Sequence, residues 1–210
     1  MSRKPDWTDT LRQDYADLFT RAVIRPEFFG VVCRVVERLS RPEHWARYRA
    51  VAAATTVPAH VVAILHTMEA SGNFACHLHN GDPLTARTVR VPMGRPLAGE
   101  PPFVWEDSAI DALALRRLPQ WSDWSLPGIA YVLEGYNGWG YRLHHPEVPS
   151  PYLWSGTSVY TAGKYVADGS WSDAAVSKQC GGMTLLARMI ATGRVPLDTP
   201  HTALGVLAVA

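Results

Sequence analysis

Apolar residues recur every three to four positions through the first third of the chain, which predicts four consecutive helices. Thr8-Asp9-Thr10 is a cap for the first, in which Leu11, Tyr15, Leu18, Phe19 and Ala22 share one face. Pro26 opens the second as a first-turn proline, with Phe28, Val31, Val32, Val35, Val36 and Leu39 inward. Pro42 restarts the chain for a third helix through Trp45, Tyr48 and Val51. Pro58 starts a fourth, which carries Val61, Val62, Ile64, Leu65 and Met68 and reaches Glu69 just before Gly72.

From Phe74 to Pro102 the pattern changes. Gly and Pro are frequent, Asn80-Gly81 and Met93-Gly94 are turn dipeptides, and Thr88-Val89-Arg90-Val91 is a β-type run, so an irregular loop with a short β-hairpin is expected. Helical patterning returns from Trp105 through Leu118, from Leu126 to about Tyr136, and from Asp173 to Ile190. An aromatic, turn-rich stretch from Tyr136 to Trp171 lies between the last two. The expected fold class is mainly α with a small β-hairpin (α+β). The expected organisation is an N-terminal helical segment 1–41, a main domain 42–192 and a C-terminal tail 193–210.

The chain has 210 residues, 47% of them hydrophobic, enough for one sizeable core but hardly for two independent domains. Lys and Arg number 20 against 19 Asp and Glu, a balance that does not point to nucleic acid or an acidic membrane surface. Three cysteines, Cys33, Cys76 and Cys180, are far apart and odd in number, so they define neither a disulfide framework nor a zinc site and are expected to be buried free thiols. The start, Met1 to Asp9, lacks the apolar core of a secretory signal. The apolar end, Ala203 to Ala210, is far shorter than the ~20 residues of a membrane span. Synthesis in the cytoplasm without a signal peptide is the expectation.

Against this background the stretch from His66 to Leu84 is the most suggestive. It sets Glu69 at the end of an apolar helix and Asp82 in a polar turn 13 positions later. Apolar surroundings keep a carboxylic acid protonated, and such an acid opposite a second carboxylate is the minimum equipment for cutting a glycosidic bond. Asn80-Gly81-Asp82-Pro83 is equally ordinary turn chemistry, in which Asn and Asp bond their own backbone. Tyr136-Asn137-Gly138-Trp139-Gly140-Tyr141 offers aromatic faces, an amide and close backbone approach for a sugar, or else a glycine-rich helix exit. His66, His77 and His79 with Asp82 are the alternative, as ligands to zinc or iron. There is no His-Glu-x-x-His, however, and His77-Leu78-His79 alone falls short of a metal signature. No Gly-x-Ser-x-Gly suggests a serine nucleophile.

These residues resemble the lysozyme-like superfamily, in particular goose-type lysozymes and soluble lytic transglycosylases. Glu69-Ala70-Ser71-Gly72-Asn73-Phe74 is similar to the family's Glu-Ser-x-Phe, and Tyr136-Asn137-Gly138 to its cleft-lining Tyr-Asn segment. The resemblance is closer still to bacterial and phage lysozyme-family proteins. It rests on Leu78 to Leu84, Val91-Pro92-x-Gly94-Arg95-Pro96, Tyr136 to Arg142, Ser150 to Trp154 and Lys164 to Gly169.

The resemblance implies a lysozyme-like two-lobed single domain and a peptidoglycan glycan-strand hydrolase. Glu69 would be the general acid and Asp82 the second carboxylate, with Tyr136, Asn137, Gly138, His79 and Asn80 binding substrate; Tyr160 is a candidate to extend the aromatic cleft by its residue type. No metal and no cofactor are implied. The expected partner is the peptidoglycan glycan strand or a related N-acetylglucosamine polymer, met by a monomer after release or export, with neither nucleic acid nor membrane as partner. A lytic transglycosylase, a chitinase or chitosanase, and a non-catalytic glycan-binding module are the alternatives. The basic loop residues Arg87, Arg90 and Arg95 favour an uncharged or anionic glycan over a cationic one. The absence of a Gly-Leu-Met-Gln-type segment after Glu69 counts against the transglycosylase route.

Overall fold

A computed structural model describes residues 4–195. It is mainly helical, with one small antiparallel sheet. The helices are α1 (Asp9–Arg21), α2 (Pro26–Leu39), α3 (Pro42–Thr55), α4 (Ala59–Ala70), α5 (Trp105–Leu115), α6 (Leu126–Asn137), α7 (Gly140–His144), α8 (Pro151–Trp154) and α9 (Gly182–Ala191). A 3-10 turn spans Leu118–Gln120, and the strands are β1 (Lys164–Ala167) and β2 (Ser170–Ser172). The C-terminal apolar stretch from Ala203 to Ala210 and the first three residues lie outside the described residues.

The four early helices begin where their signals lie. Thr8 accepts a hydrogen bond from the Leu11 N–H at 3.2 Å, capping α1. Pro26 and Pro42 open α2 and α3, and Pro58 precedes the first residue of α4. Among the described residues no single helix is long and apolar enough to cross a membrane; α3 and α4 are apolar together but meet at a bend of 113°.

Two compact units divide the chain: Glu37–Asp123, and the residues up to Val36 together with those from Trp124 onward. In the Glu37–Asp123 unit, α3 packs against α4 and α5. Arg47 on α3 grips Glu106 on α5 through Nε at 2.6 Å and Nη2 at 2.8 Å. In the other unit α1 lies on α6, and α6 and α8 pack with α9.

Three expectations need correction. The β-type run Thr88–Val91 forms no strand, and the hairpin is at Lys164–Ser172 instead. The N–H groups of Val89 and Arg90, which a ladder would use, donate to the Asp82 carboxylate at 2.9 and 3.0 Å. Only one isolated bridge, Cys76 to Pro83, lies in the 74–102 segment. The last helix begins at Gly182, not Asp173, and residues before it bond to other parts of the chain: Ala175 O accepts from Gly163 N and Ser177 N donates to the Tyr160 hydroxyl. The Gly181 N–H donates to Ser155 O at 2.8 Å, and a Cβ at Gly181 would come within 2.3 Å of the Leu153 carbonyl oxygen. Of the three cysteines Cys180 alone is buried; Cys33 and Cys76 are half-exposed, and all three are free thiols.

Candidate functional site

Every residue of α4 from Val61 to Ala70 is buried except Glu69, which is half-buried on the last turn. The helix ends there because Ser71 adopts a left-handed conformation (φ 53°) and Gly72 follows at φ 69°. Their N–H groups close the end by donating to Thr67 O and His66 O, each at 3.0 Å. Arg38 Nη2 donates to Ser71 O at 3.0 Å and fixes the exit. Phe74 then folds back on the helix, its ring 4.6 Å from that of His66 and 4.7 Å from that of Trp105.

His66 itself is fully buried, with Nδ1 paired to the Tyr48 hydroxyl at 3.0 Å. Burial pushes its pKa down to about 4, although a backbone contact at Asn73 opposes the shift.

The next turn, His77 to Asp82, lies directly on Glu69. A Cβ at Gly81 would come within 2.7 Å of the Glu69 carbonyl oxygen, and φ there is 76°, so only glycine allows this approach. The turn is closed by His77 N to Asp82 O at 2.7 Å and Gly81 N to His77 O at 2.9 Å.

Asp82 is buried, and both its oxygens are engaged. Oδ2 accepts from Val89 N and Arg90 N, and Oδ1 from Arg90 Nε at 2.6 Å. Burial raises its pKa, but the hydrogen bonds donated by Arg90 and Val89 outweigh burial and hold it down at about 2. Asn80 accepts from Asp82 N and donates to Arg90 O, each at 3.0 Å. His79 is buried and pairs through Nε2 with Asp111 at 2.8 Å, while Arg95 takes the same carboxylate in a fork at 2.6 and 2.8 Å. His77 is tied to Ser108 Oγ at 2.6 Å and Ala86 O at 2.8 Å. The sequence candidates Asp82, His79 and Asn80 therefore form the internal frame of the loop beside Glu69. The three histidines are engaged separately, and among the described residues no three His, Cys, Asp or Glu side chains converge as metal ligands.

Tyr136, Asn137, Gly138 and Tyr160 belong to the other unit. Asn137 is exposed and ends α6, Tyr136 is buried, and Gly138 (φ 99°) has open space where a Cβ would project. Asn137 and Gly138 line an open cavity of about 430 Å3, with Tyr152, Lys164, Tyr165, Ser177 and Gln179 among its other walls.

Tyr160 is fully buried; its hydroxyl donates to Gly163 O at 3.2 Å and accepts from Ser177 N at 3.1 Å, which holds the cavity wall in place. Deeper in α6, Glu134 is buried between the Tyr15 hydroxyl, which donates to it, and Arg142 at 3.1 Å. Burial drives the Glu134 pKa up against the opposing pull of Arg142.

Sequence reading missed Arg90, Asp111 and Arg95 as partners of the loop, and Lys164, Tyr165 and Gln179 as cavity residues. Loop partners eight to thirty-two positions apart obey no period, so no local signal marks them. No family model, curated protein or solved structure matches the chain.

Proposed function

We propose that the chain cleaves the glycan strands of peptidoglycan, with Glu69 as the general acid that protonates the bond oxygen between N-acetylmuramic acid and N-acetylglucosamine. The observation that carries this reading is the placement of Glu69. It is the one half-exposed side chain in the buried run 61–70, it ends a helix, and small residues follow it where a bulky substrate must approach. The resemblance to goose-type lysozymes and lytic transglycosylases supports the same assignment.

The occupation of Asp82 favours a second form of the reaction. A carboxylate already accepting from Val89 and Arg90 is poorly placed to activate water. Glu69 alone would then serve twice, giving its proton to the leaving oxygen and taking one from the substrate's C6 hydroxyl as that oxygen closes on C1. The product is an anhydro sugar, as in lytic transglycosylases, and Asp82 keeps the neighbouring turn in shape.

Glu69→Gln keeps the size and removes the acidic proton that the reaction transfers. Clearing of a peptidoglycan suspension should slow by about 10²–10⁴-fold, the usual contribution of a general acid. Clearing at the parent rate by a folded Glu69→Gln protein would overturn the assignment.

A further inference from the structure

The cavity beside Asn137 has an electrostatic character that the cleavage reading does not require. Its lining carries one charged side chain, Lys164, and no carboxylate, guanidinium or imidazole. The remaining polar groups are the amides of Asn137 and Gln179, the phenols of Tyr141, Tyr152 and Tyr165, the indole N–H of Trp139 and the hydroxyl of Ser177. Among the described residues no carboxylate lies within ion-pair distance of the Lys164 ammonium.

Lys164 stands on a fixed wall. In the hairpin it is paired with Ser172, and Tyr165 with Trp171. The Tyr165 N–H donates to the Tyr141 hydroxyl at 3.3 Å, and its ring meets those of Tyr141 at 5.3 Å and Trp171 at 5.2 Å. His145 stacks flat on Trp171 from outside, centroids 3.5 Å apart. Gly163 is required just before the strand, since φ is 94° and a Cβ would come within 2.9 Å of the Trp171 ring. A hairpin anchored by four rings presents its lysine with little freedom left to its backbone.

An unpaired ammonium among amides, phenols and a hydroxyl matches a sugar that carries a negative charge. We infer that this cavity binds a carboxylate attached to an N-acetylated sugar, with Lys164 taking the carboxylate and Asn137, Gln179, Tyr152 and Tyr165 taking the ring and amide. The carboxylate is either the free lactyl group of N-acetylmuramic acid on a peptide-stripped strand or the acidic residue of its stem peptide. This inference rests on the reading of the chain as a peptidoglycan-cleaving enzyme, yet it concerns affinity and not turnover.

The test uses the full chain carrying Glu69→Gln, so that no probe is consumed, with NMR titration followed at the amides of Tyr165, Ser177 and Gln179. The probes are N,N'-diacetylchitobiose, the N-acetylglucosaminyl–N-acetylmuramic acid disaccharide, and that disaccharide bearing L-Ala–D-Glu. At least one acidic probe should bind about three- to tenfold more tightly than chitobiose, as for one charge-assisted contact open to solvent. Preference for the peptide-free disaccharide assigns the lactyl group; preference for the peptidyl form alone assigns the stem. Lys164→Met should abolish the preference and leave chitobiose affinity unchanged, while Lys164→Arg should retain it. Equal binding of the three probes, no shift at these amides, or a preference that survives Lys164→Met would overturn the inference. Because the parent protein's turnover is scored separately, a chain that discriminates by charge without cleaving strands would sink only the proposed function. One that cleaves without discriminating would sink only this inference.

Discussion

Glu69 and Asp82 differ in exposure, the first half-buried and the second buried. Asp82 accepts three hydrogen bonds from two consecutive loop residues and is buried in doing so. Asp82→Asn removes the charge and leaves one oxygen to do the work of two. The expected loss is about 1–3 kcal/mol, the range for a hydrogen bond to a charged group, discounted because Arg90 is largely exposed. In a chain of this size each kcal/mol lowers the melting temperature by about 2–4 °C. Calorimetry should therefore find Asp82→Asn several degrees less stable, with strand cleavage retained within about tenfold of the parent. A variant of unchanged stability and abolished activity would make Asp82 a catalytic group instead.

At the scale of elements, the loop 71–104 is held by side chains and scattered backbone bonds instead of a ladder. Asp111 on α5 is its main anchor, taking both Arg95 and His79. Asp111→Ala should leave α4 intact and free the loop. Amide exchange at Thr88, whose N–H donates to Arg95 O at 2.8 Å, should quicken by roughly tenfold or more, while the amides of residues 62–68 keep their protection. Uniform exchange across the loop in parent and variant would contradict this anchoring.

The same contrast explains what the sequence could disclose. Helix starts were legible because Thr8, Pro26, Pro42 and Pro58 act locally, and the end of α4 because Ser71-Gly72 does. Thr88–Val91 read as a strand because its residue types suit one, but strand formation depends on which partner takes the N–H groups, and Asp82 takes them. The stretch 173–181 read as helix for want of any local signal that Ala175, Ser177 and Gly181 would bond Gly163, Tyr160 and Ser155 instead. Glu69 could be singled out because a charge in an apolar run stands out in one dimension. Lys164 could not, since its meaning comes from an absence of carboxylates around a cavity.

For the molecule as a whole, pH is the most informative variable. His66 and His60 on α4 are both pushed down to about 4 by burial, from an ordinary 6.5. Between those values the unfolded chain binds protons that the folded chain refuses, so stability falls as pH drops from about 6.5 to about 4 and then levels for these groups. Asp82 continues the loss between about 4 and 2, where the unfolded carboxyl takes its proton first. For fully buried His66 the effect is on the order of 3 kcal/mol at most. The urea midpoint should drop between pH 7 and 4.5, and His66→Gln should flatten that drop even though it also removes the pair with Tyr48. A midpoint independent of pH over this range would show that neither histidine is held neutral by the fold.

The central claim concerns the bond that is cut and the residue that cuts it. Mass spectrometry of the soluble products from purified peptidoglycan tests both together. The parent protein should release disaccharide fragments cleaved after N-acetylmuramic acid, with anhydro ends if Glu69 works alone and reducing ends if water is the nucleophile. Glu69→Gln should release none above background. Intact strands with the parent protein, or the same fragments from Glu69→Gln, would contradict the account.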